Sequence, residues 1–146
     1  FQLCTQAATA VAAPTGMESM NEAEIAAGLS ITPHYQYAQR VGSQLFLAGQ
    51  VPQAADGSIV APGDPCAQAS QCLANLNKVL AVHGFAAPDI RRVVVYVVGE
   101  QADLSAAWGA VTAHFGGQVP PATLLGVARL GYPGQVVEID ATVVKG

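Results

Sequence analysis

Charge is sparse in this chain of 146 residues: Asp, Glu, Lys and Arg together make up 11% of it, against about a quarter in an average soluble domain. Six Lys and Arg stand against ten Asp and Glu, for a net charge of −4, and among the basic residues only Arg91 and Arg92 adjoin. Phosphate backbones are held by clustered cations, so nucleic acid is not an expected partner. Long apolar runs are missing too. The longest, Val93 to Val98, has the length of a strand and not of a bilayer span, so no membrane partner is expected although mean hydropathy is +0.36.

Sulfur is equally scarce. Cys4, Cys66 and Cys72 are odd in number, and the last two lie six apart on a predicted helix, which puts them on different faces and out of bonding range. Reduced thiols in a cytoplasmic protein are the expectation. No cysteine has a His or Cys neighbour at zinc-ligand spacing, so no metal is expected. No glycine-rich phosphate loop occurs: Gly116-Gly117 falls at the end of a predicted helix, whereas anions bind at helix N-termini. There is no local Ser/His/Asp signature either. No cofactor is expected.

What the sequence does contain is one domain's length of well-punctuated elements. Residues 1–16 are uncharged and rich in Ala and Thr. Ala10-Val11-Ala12-Ala13 superficially resembles a signal cleavage site, but no basic stretch precedes it. This segment reads as a surface extension, and the domain is drawn as 31–146 with 1–30 as an N-terminal extension. Glu22 to Leu29 reads as a short helix. Tyr37 to Val41 and Leu45 to Ala48 read as strands joined at Gly42-Ser43, and Asp56-Gly57 marks a further turn.

Asp64 offers an N-cap, Pro65 suits the first helical position and Gly84 the C′ position, bracketing about five turns of helix with Ala69, Cys72, Leu73, Leu76, Val79 and Leu80 on one face. Ile90 to Val98 reads as a central strand covered on both sides. Asp103 or a neighbour opens a second helix, with Leu104, Trp108, Val111 and Phe115 toward a sheet. Ala122 to Leu130 and Gln135 to Val144 read as the last strands. The order strand, strand, helix, strand, helix, strand, strand implies an α+β domain with a single mixed sheet and both helices on one face.

Five segments, in order, resemble one known family. These are Tyr35 six residues before Val41-Gly42; Leu45 to Pro52, ending in Gly-Gln-x-Pro; Gly63-Asp64 through Gln68, Gln71, Asn75 and Leu76; Pro120 to Leu130; and Pro133 to Ala141. Together they resemble the Rid (reactive intermediate deaminase) or YjgF family over about Pro33 to Val144. The resemblance implies a chorismate-mutase-like fold, a homotrimer with a pocket between each pair of subunits, and imine hydrolysis. An older label in the same family is endoribonuclease or translation inhibitor, which the acidic balance does not support.

By the same resemblance Glu138 positions the hydrolytic water and Tyr35 contributes a hydroxyl and a ring wall. A carboxylate among Val136, Val137, Ile139 and Ala141 must otherwise face solvent. Asn75 is expected to hold backbone in place, and His34 adjoins Tyr35. His83 and His114 fall in the last turns of the helices, where a partly charged imidazole favours the dipole. The expected pocket is Tyr35, Thr123, Leu125 and Glu138.

Members that hydrolyse imines of amino acids carry an arginine where this chain has Thr123. A guanidinium clamps a carboxylate with two hydrogen bonds, and a hydroxyl offers one neutral donor. Arg129 stands six residues further on, roughly 20 Å along a strand at about 3.3 Å per residue, out of reach of the same spot. Leu125 makes the pocket more apolar. The expected substrate is thus a small imine, enamine or related carbonyl-derived metabolite, not a 2-imino acid. The alternative is a non-catalytic trimer that binds small molecules for regulation.

Overall fold

The structure is a computed structural model that describes residues 20–32 and 34–146. The expectations for residues 1–16 and for Cys4 lie outside the described residues. The elements are α1 (Glu22–Ala26), β1 (Ala38–Val41), β2 (Gln44–Leu47), α2 (Pro65–Val82), a 3-10 turn (Ala87–Asp89), β3 (Ile90–Val97), α3 (Gln101–His114), β4 (Ala122–Gly126) and β5 (Val137–Val144). The five strands form one sheet in the order β1-β2-β5-β3-β4. β4 runs parallel to β3, and the remaining pairs are antiparallel.

Helix α2 forms where its signals place it. The Asp64 carboxylate accepts from the Ala67 amide at 3.1 Å, Pro65 fills the first position, and Gly84 leaves the helix at a φ of +77° that suits only glycine. Ala69, Cys72, Leu73, Leu76, Val79 and Leu80 are all buried. In α3 the deepest residues are Ala107 and Val111, with Leu104, Trp108 and Phe115 packed around them. Both helices press on one face of the sheet, where Val93, Val95, Val97, Val137, Ile139 and Val143 complete the core.

Three expectations need correction. β3 is central, but within one chain it is covered on one face only, since Val94 and Tyr96 alternate with fully buried neighbours and stay partly exposed. β4 stops at Gly126 instead of reaching Leu130, and β5 begins at Val137 instead of Gln135. The chain between them is a loop tied to α2 by Gln68. Its Oε1 accepts from the Val136 amide at 2.7 Å, and its Nε2 donates to the Gly134 carbonyl at 2.8 Å. The third concerns His83, which pairs at 2.6 Å with the buried Glu24 of α1 instead of serving the helix dipole alone.

Asn21 and Ser30 also join the N-terminal segment to the body. Asn21 donates to Thr32 and accepts from the Tyr37 amide, while Ser30 meets the Tyr37 hydroxyl at 3.1 Å. Asn75 donates at 3.0 Å to the carbonyls of Val51 and Gln53, the backbone-holding role expected of it. Cys66 is exposed and Cys72 buried, each unpaired. Among the described residues no helix is long and apolar enough to cross a membrane.

Candidate active site

Alternation along β3 and β5 sends Val93, Val95, Val97, Val137 and Ile139 under the helices. Arg92, Val94, Tyr96, Glu138 and Asp140 are left on the opposite, uncovered face. The register aligns Leu125, Tyr96 and Glu138 in one row across β4, β3 and β5, and Thr123, Val94 and Asp140 in the next. With strands about 4.8 Å apart, Leu125 and Glu138 are separated by about 10 Å, and Thr123 lies further off. Thus the four residues expected to share a pocket lie on two sides of β3 within a chain.

Tyr35 and Glu138 stand on one side. The Glu138 carboxylate accepts from Gln135 Nε2 at 3.2 Å and lies against Gly49, where any Cβ would collide with it. Gln135 is buried and bonds through the same Nε2 to the Val137 carbonyl at 3.0 Å, while its Oε1 accepts from the Tyr132 amide at 3.2 Å. Glu138 is thereby held to the loop before β5. Tyr35 is 37% exposed. Burial of its phenol, then the adjacent Tyr132 hydroxyl and the charges around it, Glu138 among them, push its pKa well above the usual tyrosine range, so it remains a neutral donor.

Glu138 opens into a cleft of about 410 Å³ whose walls include Leu47, Gly49, Tyr96, Val127, Arg129 and Asp140. On the other side of β3, Thr123 Oγ1 accepts from Arg92 Nη2 at 2.7 Å, and Leu125 is half-buried. His34 is exposed, and His114 Nε2 meets Asn77 Nδ2 at 3.3 Å away from the cleft. Among the described residues no three His, Cys, Asp or Glu side chains gather at metal-binding distance.

A profile of the family described as Endoribonuclease L-PSP, which comprises the YjgF and Rid proteins, matches residues 25–145. The chain belongs to this family. A RutC family protein of Pyrococcus horikoshii is 30% identical over 112 residues, covering 76% of this chain and 86% of its own. Among solved structures, a Thermotoga maritima protein described as a putative endoribonuclease superposes with a TM-score of 0.72 at 26% identity, covering 82% of this chain and 92% of that one. The YjgF gene product of E. coli superposes with a TM-score of 0.72 at 25% identity, covering 82% and 95%.

Within the Rid frame, four features of the site escaped the sequence. Asp140 was readable as the next outward position after Glu138. Gly49 stands in Gly-Gln-x-Pro, and nothing in that motif shows that it makes room for a carboxylate. Gln135 carries no signal without the loop geometry. Arg129 is expected to lie beyond reach of the Thr123 position, and what the sequence does not show is that β4 ends at Gly126. The loop beyond it brings Arg129 to the cleft of Glu138.

Proposed function

We propose that this Rid protein hydrolyses a small imine, enamine or related carbonyl-derived metabolite, with Glu138 activating the water. The observation that carries the proposal is the Glu138 carboxylate fixed between Gln135 and Gly49 at the mouth of a cleft. As the water oxygen bonds to the C=N carbon, Glu138 accepts a proton from the water and the electron pair moves onto nitrogen. Glu138 then gives that proton to the nitrogen, and as the C–N bond breaks it takes the proton of the new hydroxyl, leaving a carbonyl and an amine. The amine departs as its ammonium form with the remaining proton of a protonated imine. Tyr35, kept protonated, is suited to donate to the substrate. The test is a screen of purified protein against small imines and enamines, with Glu138→Gln as the inactive control.

The substrate is not a 2-imino acid gripped on β4. Thr123 takes the position of the clamping arginine, and its hydroxyl already accepts from Arg92, so its remaining capacity is that of a single neutral group. The working form is a homotrimer. The uncovered sheet face, with Val41 at 59% and Phe46 at 53% exposed, is suited to cover by neighbouring subunits, which would also bring Thr123 and Leu125 toward another subunit's Glu138. Unpaired Cys66 and Cys72 accord with a cytoplasmic setting.

The occupied Thr123 hydroxyl also favours a second reading, a trimer that binds a metabolite without turnover for regulation. Saturable binding of a screened metabolite with no Glu138-dependent product would select it. The endoribonuclease label of the relatives gains little, because a cleft lined by one arginine and two acidic residues is poorly matched to a phosphate chain.

A further inference from the structure

We propose that Arg129 is the anion anchor of the Glu138 cleft, and that the substrate is a small iminium whose anionic group stands several bonds from the reacting carbon. This rests on the assignment of Glu138 to water activation and adds the chemistry by which the substrate is recognised.

Position comes first. β4 ends at Gly126, Val127 still bonds its amide to the Val97 carbonyl at 2.9 Å, and the chain then turns along the rim of the cleft. Arg129 and Leu130 form the wall between the cleft of Glu138 and an adjoining one of about 380 Å³ that reaches Tyr132 and Gln135. Two adjacent hollows with a guanidinium at their divide leave room for a ligand longer than a two-carbon unit.

Partners come second. Arg40 donates to the Gly42 carbonyl, Arg91 to the Val144 carbonyl and Arg92 to Thr123. Among the described residues Arg129 makes no side-chain hydrogen bond and no ion pair, the one ion pair being His83–Glu24. Arg129 lines a common cleft with Glu138 and Asp140 and, among the described residues, forms an ion pair with neither. Two acidic residues and an arginine with no ion pair among the described residues, around one cleft, match a ligand with separated charges, its cationic nitrogen toward the carboxylates and its anion on Arg129.

Separation is required by the carboxylates themselves. An anion attached directly to the reacting carbon is drawn to about 5 Å from Glu138. At an effective dielectric of about 20 such like charges repel enough to weaken binding by about two orders of magnitude. A clamp on β4 would offset that repulsion, and Thr123 does not. An anion several bonds away escapes it and reaches the cation that lines the cleft.

Stable amines of one size distinguish the possibilities without any turnover. Calorimetric titration of the full chain with 4-aminobutyrate, 2-aminobutyrate and butylamine should rank 4-aminobutyrate first. Arg129→Gln should weaken it about tenfold (about 1.4 kcal/mol), to the level of butylamine, while Arg129→Lys keeps part of the difference. The anchor is overturned if Arg129→Gln leaves the ranking intact, if 2-aminobutyrate binds tighter, or if 4-aminobutyrate does not saturate the wild type at millimolar concentration. Glu138-dependent imine hydrolysis with an unchanged ranking in Arg129→Gln removes the anchor alone. Arg129-dependent binding with no hydrolysis removes the water-activating role of Glu138 and leaves a binding site.

Discussion

Arg92 and Thr123 are joined across β3 and β4 by a 2.7 Å hydrogen bond from guanidinium to hydroxyl. On the proposed equivalence of Thr123 with the clamping arginine of amino-acid imine hydrolases, a guanidinium already sits beside that position. Installing one at 123 would set two like charges together, so Thr123→Arg alone should give little gain on 2-iminobutyrate. Thr123→Arg with Arg92→Thr, which exchanges the partners, should raise its hydrolysis at least about tenfold over the single variant. Ammonia release corrected for the spontaneous rate checks this, and equal rates for the two variants would count against Arg92 as the obstacle.

Glu138→Gln keeps the shape of the side chain but removes the base. Turnover of any substrate found should fall by about two to four orders of magnitude, with the melting temperature little changed because the carboxylate is only half-buried. Steady-state kinetics beside thermal unfolding separates the two effects. A rate within a few-fold of wild type would move the water-activating role elsewhere.

Gly49 supplies a subtler test of the same carboxylate. A Cβ there meets the end of the Glu138 side chain, not backbone, so the side chain can swing aside at small cost to the fold. Gly49→Ala should therefore reduce kcat with little loss of stability, a pattern opposite to that of a core glycine. Unfolding of the variant without loss of rate in the folded fraction would show that the contact is structural.

Much of the scaffold was legible because its signals are local. Asp64, Pro65 and Gly84 bracket α2 by capping chemistry, and the six-residue apolar stripe between them is buried as its 3.6-residue period requires. Strand ends were less legible. Ala122 to Leu130 is apolar nearly throughout, and nothing in that run says that pairing stops at Gly126. The loop that follows carries Arg129 to the Glu138 cleft, a placement that strand spacing alone does not give. Glu138 and Tyr35 were found through resemblance and lie together, whereas Gln135 and Gly49 act through tertiary contacts that spacing cannot express.

Cys72 gives a prediction in pH. Burial, and after it the nearby charge of Glu138, raises its thiol far above the usual range. In the unfolded chain the same thiol ionises near pH 8.5, so the unfolded state binds fewer protons than the folded one above that pH. Stability is then full below about pH 8.5 and declines above it by about 1.4 kcal/mol per pH unit for this one group. Urea unfolding of wild type at about pH 7.5 and 9.5 should show the decline, and Cys72→Ala, less stable at both, should show a smaller one. The raised Tyr35 and Tyr37 phenols steepen the fall only toward pH 10 and above, by the same sign. An identical slope in wild type and Cys72→Ala would reject the assignment.

The proposed assembly rests on the uncovered sheet face. Val94 and Tyr96 on β3 alternate with fully buried valines, and toward the far edge of the sheet Phe46 on β2 and Val41 on β1 have more than half their surface open. Apolar side chains exposed together on one face, beside the polar groups of the cleft, are suited to cover by another surface. Light scattering should return three times the 14.9 kDa chain mass at micromolar concentration. Val94→Glu puts a charge in the middle of the face without entering the helix-side core, so it should yield monomers with native circular dichroism. Because Thr123 and Leu125 are held two strands from Glu138 in the same chain, those monomers should also lose turnover. A monomeric wild type, or a fully active Val94→Glu monomer, would place the whole site within one chain and detach Thr123 and Leu125 from it.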